Sequence, residues 1–515
     1  MSTILQILVV LIIVLYIAAL FFIVCYSVTQ CNLMLRYLLY KKKYVAAQQP
    51  VKQFLDLPMV TVQLPVYNEK YVAGRLIDCI AQLDYPKDKL EIQVLDDSTD
   101  ETTSLVAEKI VQLKSNLTIK HIRRTNRSGY KAGALKEGLA LSSGELIAIF
   151  DADFLPAKDF LLKAVPYFAD SNVGMVQTKW AWINKNSSFI TKVQAFALDA
   201  HFSIEQVGRN IGNGFINFNG TAGIWRKACI IDAGNWQADT LTEDLDLSYR
   251  AQLKDWKFVY LEDVNAPSEL PPVMSAVKTQ QYRWNKGGAE TARKHLRSVI
   301  FSHKSFSVKW HAAMHLLTSG VFLSAFSCAI LSVPVLVISH YYPYYGSFLN
   351  LANYGFISFL LLGLMYLVAT MTQYKSKWES IGVFLKTMPV FLALSMGLSL
   401  HNALAVLQGY RGKKSPFVRT PKFNITGQHN RWSSNQYLKK DFNKLTVAES
   451  GMMLYFAAGI FLAFQFHDFS LFIFHMFLAM GYGIVVWLTL FENGHQAVKK
   501  ILTVESCKEL LSLEG

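Results

Sequence analysis

Leu146-Ile147-Ala148-Ile149-Phe150-Asp151-Ala152-Asp153 is the stretch on which the fold turns. An unbroken apolar run is followed at once by two carboxylates at i and i+2. A run this short and this apolar reads as a strand buried on both faces. Comparable runs stand at Met59 to Leu64, Glu91 to Leu95 and Leu117 to Ile122, and helix-patterned segments separate them. Strand–helix alternation of this kind predicts an α/β domain over residues 51–304, with a parallel sheet covered by helices on both faces. Ligands of such sheets bind beyond the carboxyl ends of the strands. Asp151 and Asp153 lie there, and so do Asp96 and Asp97 after Leu95.

The chain around this domain is lipid-soluble. Of its 515 residues 52% are hydrophobic and only 17% charged, too apolar for an ordinary soluble protein of this size. The formal charge of +14 would suggest nucleic acid on a soluble protein. Here Lys and Arg gather beside apolar segments, as the positive-inside rule requires, so no nucleic-acid partner is expected. Residues 1–50 read as a transmembrane helix, Ile4 to Val28, and a basic linker with Arg36 and Lys41-Lys42-Lys43. Residues 305–515 read as a transmembrane region, with spans at His311–Ser339, Tyr354–Gln373, Ala448–Phe466 and Leu471–Phe491.

The apolar stretch 381–407 is a further candidate span, and charge parity argues against it. The loop His340 to Asn353 has no Lys or Arg, which puts it outside, while the loop from Gly409 to Leu445 is rich in both. Lys375, Lys377 and Lys386 put the other end of the stretch inside too, so it reads as interface helices. The expectation is an integral, multi-pass protein with about five crossings in the bilayer and a cytoplasmic catalytic domain. The cysteines (Cys25, Cys31, Cys79, Cys229, Cys328, Cys507) show no paired spacing and read as free thiols.

Within the α/β domain several islands carry chemistry. Asp151 and Asp153 can reach one Mg²⁺ or Mn²⁺, whose shell phosphate and water would complete. Tyr67, in the turn Gln63-Leu64-Pro65-Val66-Tyr67-Asn68-Glu69, offers a face for a nucleobase. Asp96 and Asp97 can hold base or ribose groups by charge-assisted hydrogen bonds. Lys131 begins a helix, where a cation opposes the helix dipole unless a phosphate is there to be neutralised. Thr242-Glu243-Asp244 opens another helical pattern, and Asp244 can take an acceptor's hydroxyl proton. In Gln280-Gln281-Tyr282-Arg283-Trp284, Arg283 suits a leaving diphosphate and Trp284 a sugar ring. Each has an ordinary structural role when taken singly: a helix cap, a surface lysine, an interfacial Trp/Arg anchor. Their joint occurrence, in order and between membrane segments, points to sugar transfer.

In these islands the chain resembles the membrane-integrated, processive family 2 glycosyltransferases, which include cellulose, chitin, hyaluronan and curdlan synthases. Their spaced Asp, DxD, TED and QxxRW motifs read here Asp97, Asp151-Ala152-Asp153, Thr242-Glu243-Asp244 and Gln280-Gln281-Tyr282-Arg283-Trp284. Phe218-Asn219-Gly220-Thr221-Ala222-Gly223-Ile224-Trp225-Arg226 looks most like the cellulose-synthase-like A and C enzymes, which make mannan, glucomannan and glucan backbones. Phe417-Val418-Arg419-Thr420-Pro421-Lys422, within a loop at 409–447, resembles the family's gating pattern FxVTxK, with Arg419 in place of the valine.

The resemblance implies a Rossmann-like GT-A domain inserted between transmembrane helices. It implies that Tyr67 and Glu69 border the nucleobase, and that Asp96, Asp97 and Lys131 hold the nucleotide. Asp153 with Asp151 would carry the metal and diphosphate. Asp244, within Thr242-Glu243-Asp244, would be the base. Gln280, Arg283 and Trp284 would contact donor and acceptor, Gly220 and Thr221 would border the acceptor terminus, and Phe417, Thr420 and Lys422 would close over the nucleotide. The expected activity is inverting, β-linked polymerisation from a cytosolic nucleotide-sugar, UDP-glucose or GDP-mannose, onto a growing glycan. The alternatives are a single transfer to a lipid such as ceramide or diacylglycerol, and a transporter or receptor that only binds a nucleotide. Donor, linkage and oligomeric state are left open by the sequence.

Overall fold

A computed structural model describes residues 3–47, 54–345, 354–425, 437 and 444–491. Cys507 and much of the 409–447 loop lie outside the described residues. Seven strands form one sheet: β1 (Val60–Val66), β2 (Leu90–Asp96), β3 (Thr118–Arg123), β4 (Leu146–Ile149), β5 (Val173–Trp182), β6 (Gly223–Arg226) and β7 (Lys257–Ser268). Their order is β3-β2-β1-β4-β6-β5-β7. β3, β2, β1 and β4 pair in parallel, as does β5 with β7. β6 runs antiparallel to both β4 and β5. The expected all-parallel sheet is thus corrected to a mixed one by a single reversed strand. β6 is four residues long and follows a glycine-bearing turn, so no periodicity announces it.

The sheet is covered on both faces because β4 is apolar at every position. Leu146, Ala148 and Phe150 point into one core with α2 (Ala73–Ala81) and α3 (Thr102–Leu113). Ile147 and Ile149 point into the other, with α4 (Tyr130–Leu141) and α9 (Glu243–Leu253). The remaining helices of this part are α5 (Phe160–Ala164), α6 (Phe189–Ala200), α7 (Gln206–Ile211), α8 (Lys227–Asp232) and α10 (Met274–Ile300). A π-helical turn, His201–Glu205, joins α6 to α7.

Apolar helices flank the sheet. α1 (Thr3–Ala47) is 45 residues long. At 1.5 Å per residue it spans about 67 Å, roughly twice a bilayer core. The basic stretch read as a linker is therefore helix through Ala47, and it reaches the α/β domain through Lys41, which pairs with Glu262 at 2.8 Å. After α11 (Phe306–Leu316) come α12 (Gly320–Tyr341), α13 (Tyr354–Gln373), α14 (Lys377–Gly397), α15 (Ser399–Tyr410), α16 (Lys444–Phe466) and α17 (Phe472–Phe491).

Among the described residues six helical segments are long and apolar enough to cross a membrane. The sixth is α14, in the stretch expected to hold interface helices. Length and composition do not separate it from the others, although Lys386 stands exposed midway along it. α14 packs on α13, α17 and α6, and α15 turns back along α10. The described cysteines are all unpaired.

Candidate active site

The carboxyl ends of β1, β2 and β4 open into a cleft, at the point where chain order reverses across the sheet. Tyr67, Glu69, Asp97, Lys131, Asp151, Asp153 and Gly220 line it. So do Thr242, Glu243, Asp244, Gln280, Arg283, Trp284, Phe417, Thr420 and Lys422. Two expected residues do not. Asp96 is buried beneath the cleft, accepting from Ser98 N at 2.8 Å and bonding His121 Nε2 at 3.0 Å. Thr221 turns its hydroxyl to the backbone N–H of Asp151 at 2.8 Å, and so braces the acid pair from behind.

Asp244 stands in the first turn of α9, half-buried beside the buried Glu243 and the half-buried Lys131. Burial, and then the Glu243 carboxylate, push its pKa up to about 7. Burial likewise raises that of Glu243. Gly220 makes room for this group: its φ is +81°, and a methyl there would lie 2.9 Å from Asp244 Oδ2. Only glycine meets both demands cheaply. Lys131 reaches from the second residue of α4 to Asp151 Oδ1 at 2.5 Å and Gly220 O at 2.8 Å. Burial works against its charge, yet Asp151, Glu243 and Asp244 outweigh it and raise its pKa. Arg283 is half-buried near the same carboxylates and lies 4.8 Å from the centre of the Phe417 ring.

Asp153 tests whether a divalent cation fits. Its Oδ2 takes Lys422 Nζ at 2.8 Å and Glu269 N at 3.3 Å, while its buried Oδ1 has no hydrogen-bond partner. An orphaned carboxylate oxygen beside a second carboxylate suits a hard cation that keeps water and phosphate in its shell. Among the described residues no three Asp, Glu, His or Cys side chains converge, so Asp151 and Asp153 would supply the protein's share.

One helix aligns both sides of the chemistry. Gln280, Arg283 and Trp284 of α10 face the cleft, and the same stripe continues at Gly287, Glu290, Thr291, Lys294 and His295 to seat the Thr242–Asp246 turn. Glu290 Oε2 accepts from Leu241 N at 2.8 Å, and Thr291 Oγ1 meets Thr242 Oγ1 at 3.1 Å. Asp246 is fully buried and bonds His295 and Lys294, both at 2.7 Å. A methyl at Gly287 would sit 2.6 Å from Thr242 Cγ2. Spacing of three and four residues keeps this stripe on one face.

The 417–422 loop lies inside the cleft. Arg419, where the family pattern has valine, meets Glu69 Oε1 at 2.9 Å. Lys422 takes Asp153, and Phe417 stacks on Tyr130. The face of Tyr67 is covered by Arg127, 3.3 Å from the ring centre, and Arg124 grips both oxygens of Asp97. The remaining cavity is about 140 Å³. Sites for drug-sized ligands run to roughly 300–1,000 Å³, so a nucleotide-sugar enters only as these side chains move aside. Arg124, Arg127, Trp180 and Trp182 are site residues that sequence reasoning did not find. Only the two tryptophans, at i and i+2 near a strand end, carried a usable signal.

Residues 58–287 match the family model described as "Glycosyltransferase like family 2". A rice protein (Oryza sativa subsp. japonica) named probable glucomannan 4-beta-mannosyltransferase 11 is 46% identical over 261 residues, 49% of this chain and 46% of its own length. Glucomannan 4-beta-mannosyltransferase 2 of Arabidopsis thaliana is 39% identical over 307 residues, 57% of each chain. The chain thus spans about half the length of the curated relatives it matches. Among solved structures, a mannosyltransferase from Pyrobaculum calidifontis in complex with GDP-Man and Mn²⁺ is 20% identical. Its TM-score is 0.49 over 76% of this chain and 100% of its own.

Proposed function

We propose that this chain, whose residues 58–287 form a family 2 glycosyltransferase domain, polymerises a β-linked glycan of the mannan, glucomannan or glucan type. The sugar comes from a nucleotide-diphosphate donor, with inversion at the anomeric carbon. The observation that carries the reading is Asp244: a half-buried carboxylate with its pKa raised to about 7, in one cleft with Lys131, Arg283 and the Asp151/Asp153 pair. Names of the relatives, glucomannan 4-beta-mannosyltransferases, support a GDP-mannose-type donor and a glycan acceptor.

Asp244 deprotonates the acceptor hydroxyl as it attacks, which is work suited to a base poised near neutrality. Glu243 keeps that poise, since its neighbouring charge opposes early ionisation of Asp244. Lys131 and Arg283 are fixed cations in a partly buried site, and they stabilise the charge that builds on the leaving diphosphate. A divalent cation held by Asp151 and Asp153 would add Lewis-acid stabilisation of the same charge. Phe417, Arg419, Thr420 and Lys422 withdraw to admit the donor and return as a lid that excludes water. Tyr67 and Asp97 border the nucleobase once Arg127 and Arg124 rearrange. The α/β domain faces the cytoplasm, and the apolar helices hold the chain in the bilayer.

The test is Asp244→Asn in full-length, detergent-solubilised protein with radiolabelled nucleotide-sugars. Transfer should fall by about 10²–10⁴-fold. A variant transferring at a near wild-type rate would remove Asp244 from the role of base. Sizing of the wild-type product decides the acceptor class: long, glycosidase-sensitive chains mean polymerisation, and one or two sugars on lipid exclude it.

A further inference from the structure

One wall of the cleft is not used by the chemistry above. Trp180 and Trp182, alternate residues at the end of β5, point to the same side of the sheet and line the cleft half-buried. Their ring centres are 6.3 Å apart at 83°, so the two indoles form a corner. Both are held in place. Trp180 packs on Phe202 at 4.9 Å and edge-on to Phe154, the residue after Asp153, at 5.2 Å. Trp182 Nε1 donates to Asp199 Oδ1 of α6 at 2.8 Å.

Both tryptophans pack against the core and yet stay half-buried where they line the cleft. A packing tryptophan would be covered by its neighbours, and a buried indole N–H ordinarily finds an acceptor. Trp180 Nε1 is buried without one. Two further cleft residues share the condition. Asn219 spends its oxygen on Asn217 Nδ2 at 2.7 Å, while its own Nδ2 is unpartnered. Gln280 is more than nine-tenths buried, and its Oε1 is unpartnered. Buried polar atoms are ordinarily paired; the core indoles of Trp225 and Trp236 lack a partner too, and what marks these three is their place in the cleft lining.

We propose that Trp180 and Trp182, with the side-chain amides of Asn219 and Gln280, form a subsite for a pyranose ring of the glycan acceptor. The proposal rests on the transferase reading. A pyranose presents flat C–H faces rimmed by hydroxyls that both donate and accept. The wall offers flat apolar faces, two N–H donors and one carbonyl acceptor, which is the complementary set. Sheet order separates it from the nucleotide. Tyr67 and Asp97 follow β1 and β2, β4 with its acid pair stands between, and β5 lies two strands beyond. The wall also borders the apolar helices: Phe196 of α6 stacks on Tyr366 of α13, centres 5.1 Å apart at 14°. An acceptor seated there shares one cleft with Asp244 and lies beside α6, which meets the apolar helices.

The experiment uses full-length protein in detergent, a fixed nucleotide-sugar, and short β-1,4-linked manno- or gluco-oligosaccharides as added acceptors. Trp180→Ala and Trp182→Ala should raise acceptor KM about tenfold or more, equivalent to a stacking contact. Donor KM should move far less, and Trp→Phe at each position should recover most of the loss. An unchanged acceptor KM, or a donor KM that rises in step, overturns the subsite. Where an alanine variant fails to fold, tryptophan fluorescence decides. Oligosaccharide should quench wild-type emission, and Trp180→Phe/Trp182→Phe should shrink the response to what Trp284 in the same cleft supplies. A response of undiminished amplitude in that variant refutes the proposal. A wild-type protein that glycosylates lipid but none of these acceptors fails the polymer reading instead, and the fluorescence titration still judges the wall.

Discussion

Asp244 and Gly220 show how far single residues constrain this site. Because burial raises Asp244 to about 7, the proposed base ionises as pH climbs through neutrality. We expect kcat/KM to rise through pH 7 in wild type and the residual rate of Asp244→Asn to lose that limb, measured as a pH–rate profile. The stability sign is opposite. Between pH 4 and 7 the native state holds a proton that the unfolded chain has released, so stability from this group falls as pH rises. Asp244→Asn should therefore melt higher than wild type at pH 8, with the difference shrinking toward pH 4. Gly220→Ala meets a positive φ and a carboxylate oxygen 2.9 Å away. Displacing the base by a fraction of an ångström should cost about 10²-fold in transfer, with the fold intact by thermal melting. The carboxylates and the Arg-Trp pair were legible because chemistry demands those residue types at strand ends and helix starts. Arg127, Arg124 and Asp246 were not, since their importance arises from what they touch across the fold.

At the scale of elements, α10 is the part that sequence reading understated. The Arg283/Trp284 pair was visible as a motif, whereas the stripe that extends it to Glu290 and His295 acquires meaning only when α9 packs against it. Glu290→Ala removes the acceptor of the Leu241 N–H, at a cost of about 1–3 kcal/mol for a buried donor left unpaired. We expect a fall in kcat larger than any change in donor KM, and near-full recovery in Glu290→Gln, which keeps an acceptor oxygen. Equal loss in both variants would show that charge, not the hydrogen bond, is what matters. The strands β1 to β4 were readable from apolar runs. β6 was not, because four residues after a tight turn leave no periodicity to read.

Taken whole, the molecule ties its α/β domain to its apolar helices through buried polar contacts. Lys278 of α10, two residues before Gln280, meets Glu449 of α16 at 2.7 Å and Thr489 of α17 at 3.1 Å. Glu449 is fully buried, so Glu449→Ala strands a buried cation and should destabilise the protein by about 3–5 kcal/mol. The pair Lys278→Met/Glu449→Leu should restore most of that, as read by melting in detergent. No sequence pattern announces this pair, because its partners lie 171 positions apart. What the sequence by itself determined is the α/β domain, the apolar helices around it and the chemistry-bearing residues, since these follow from local periodicity and residue type. What only the tertiary structure decided is the reversed strand β6, the loop cations seated on Glu69 and Asp153, and the tryptophan wall. Those depend on which surfaces meet in space, and contact between distant segments leaves no trace in local order.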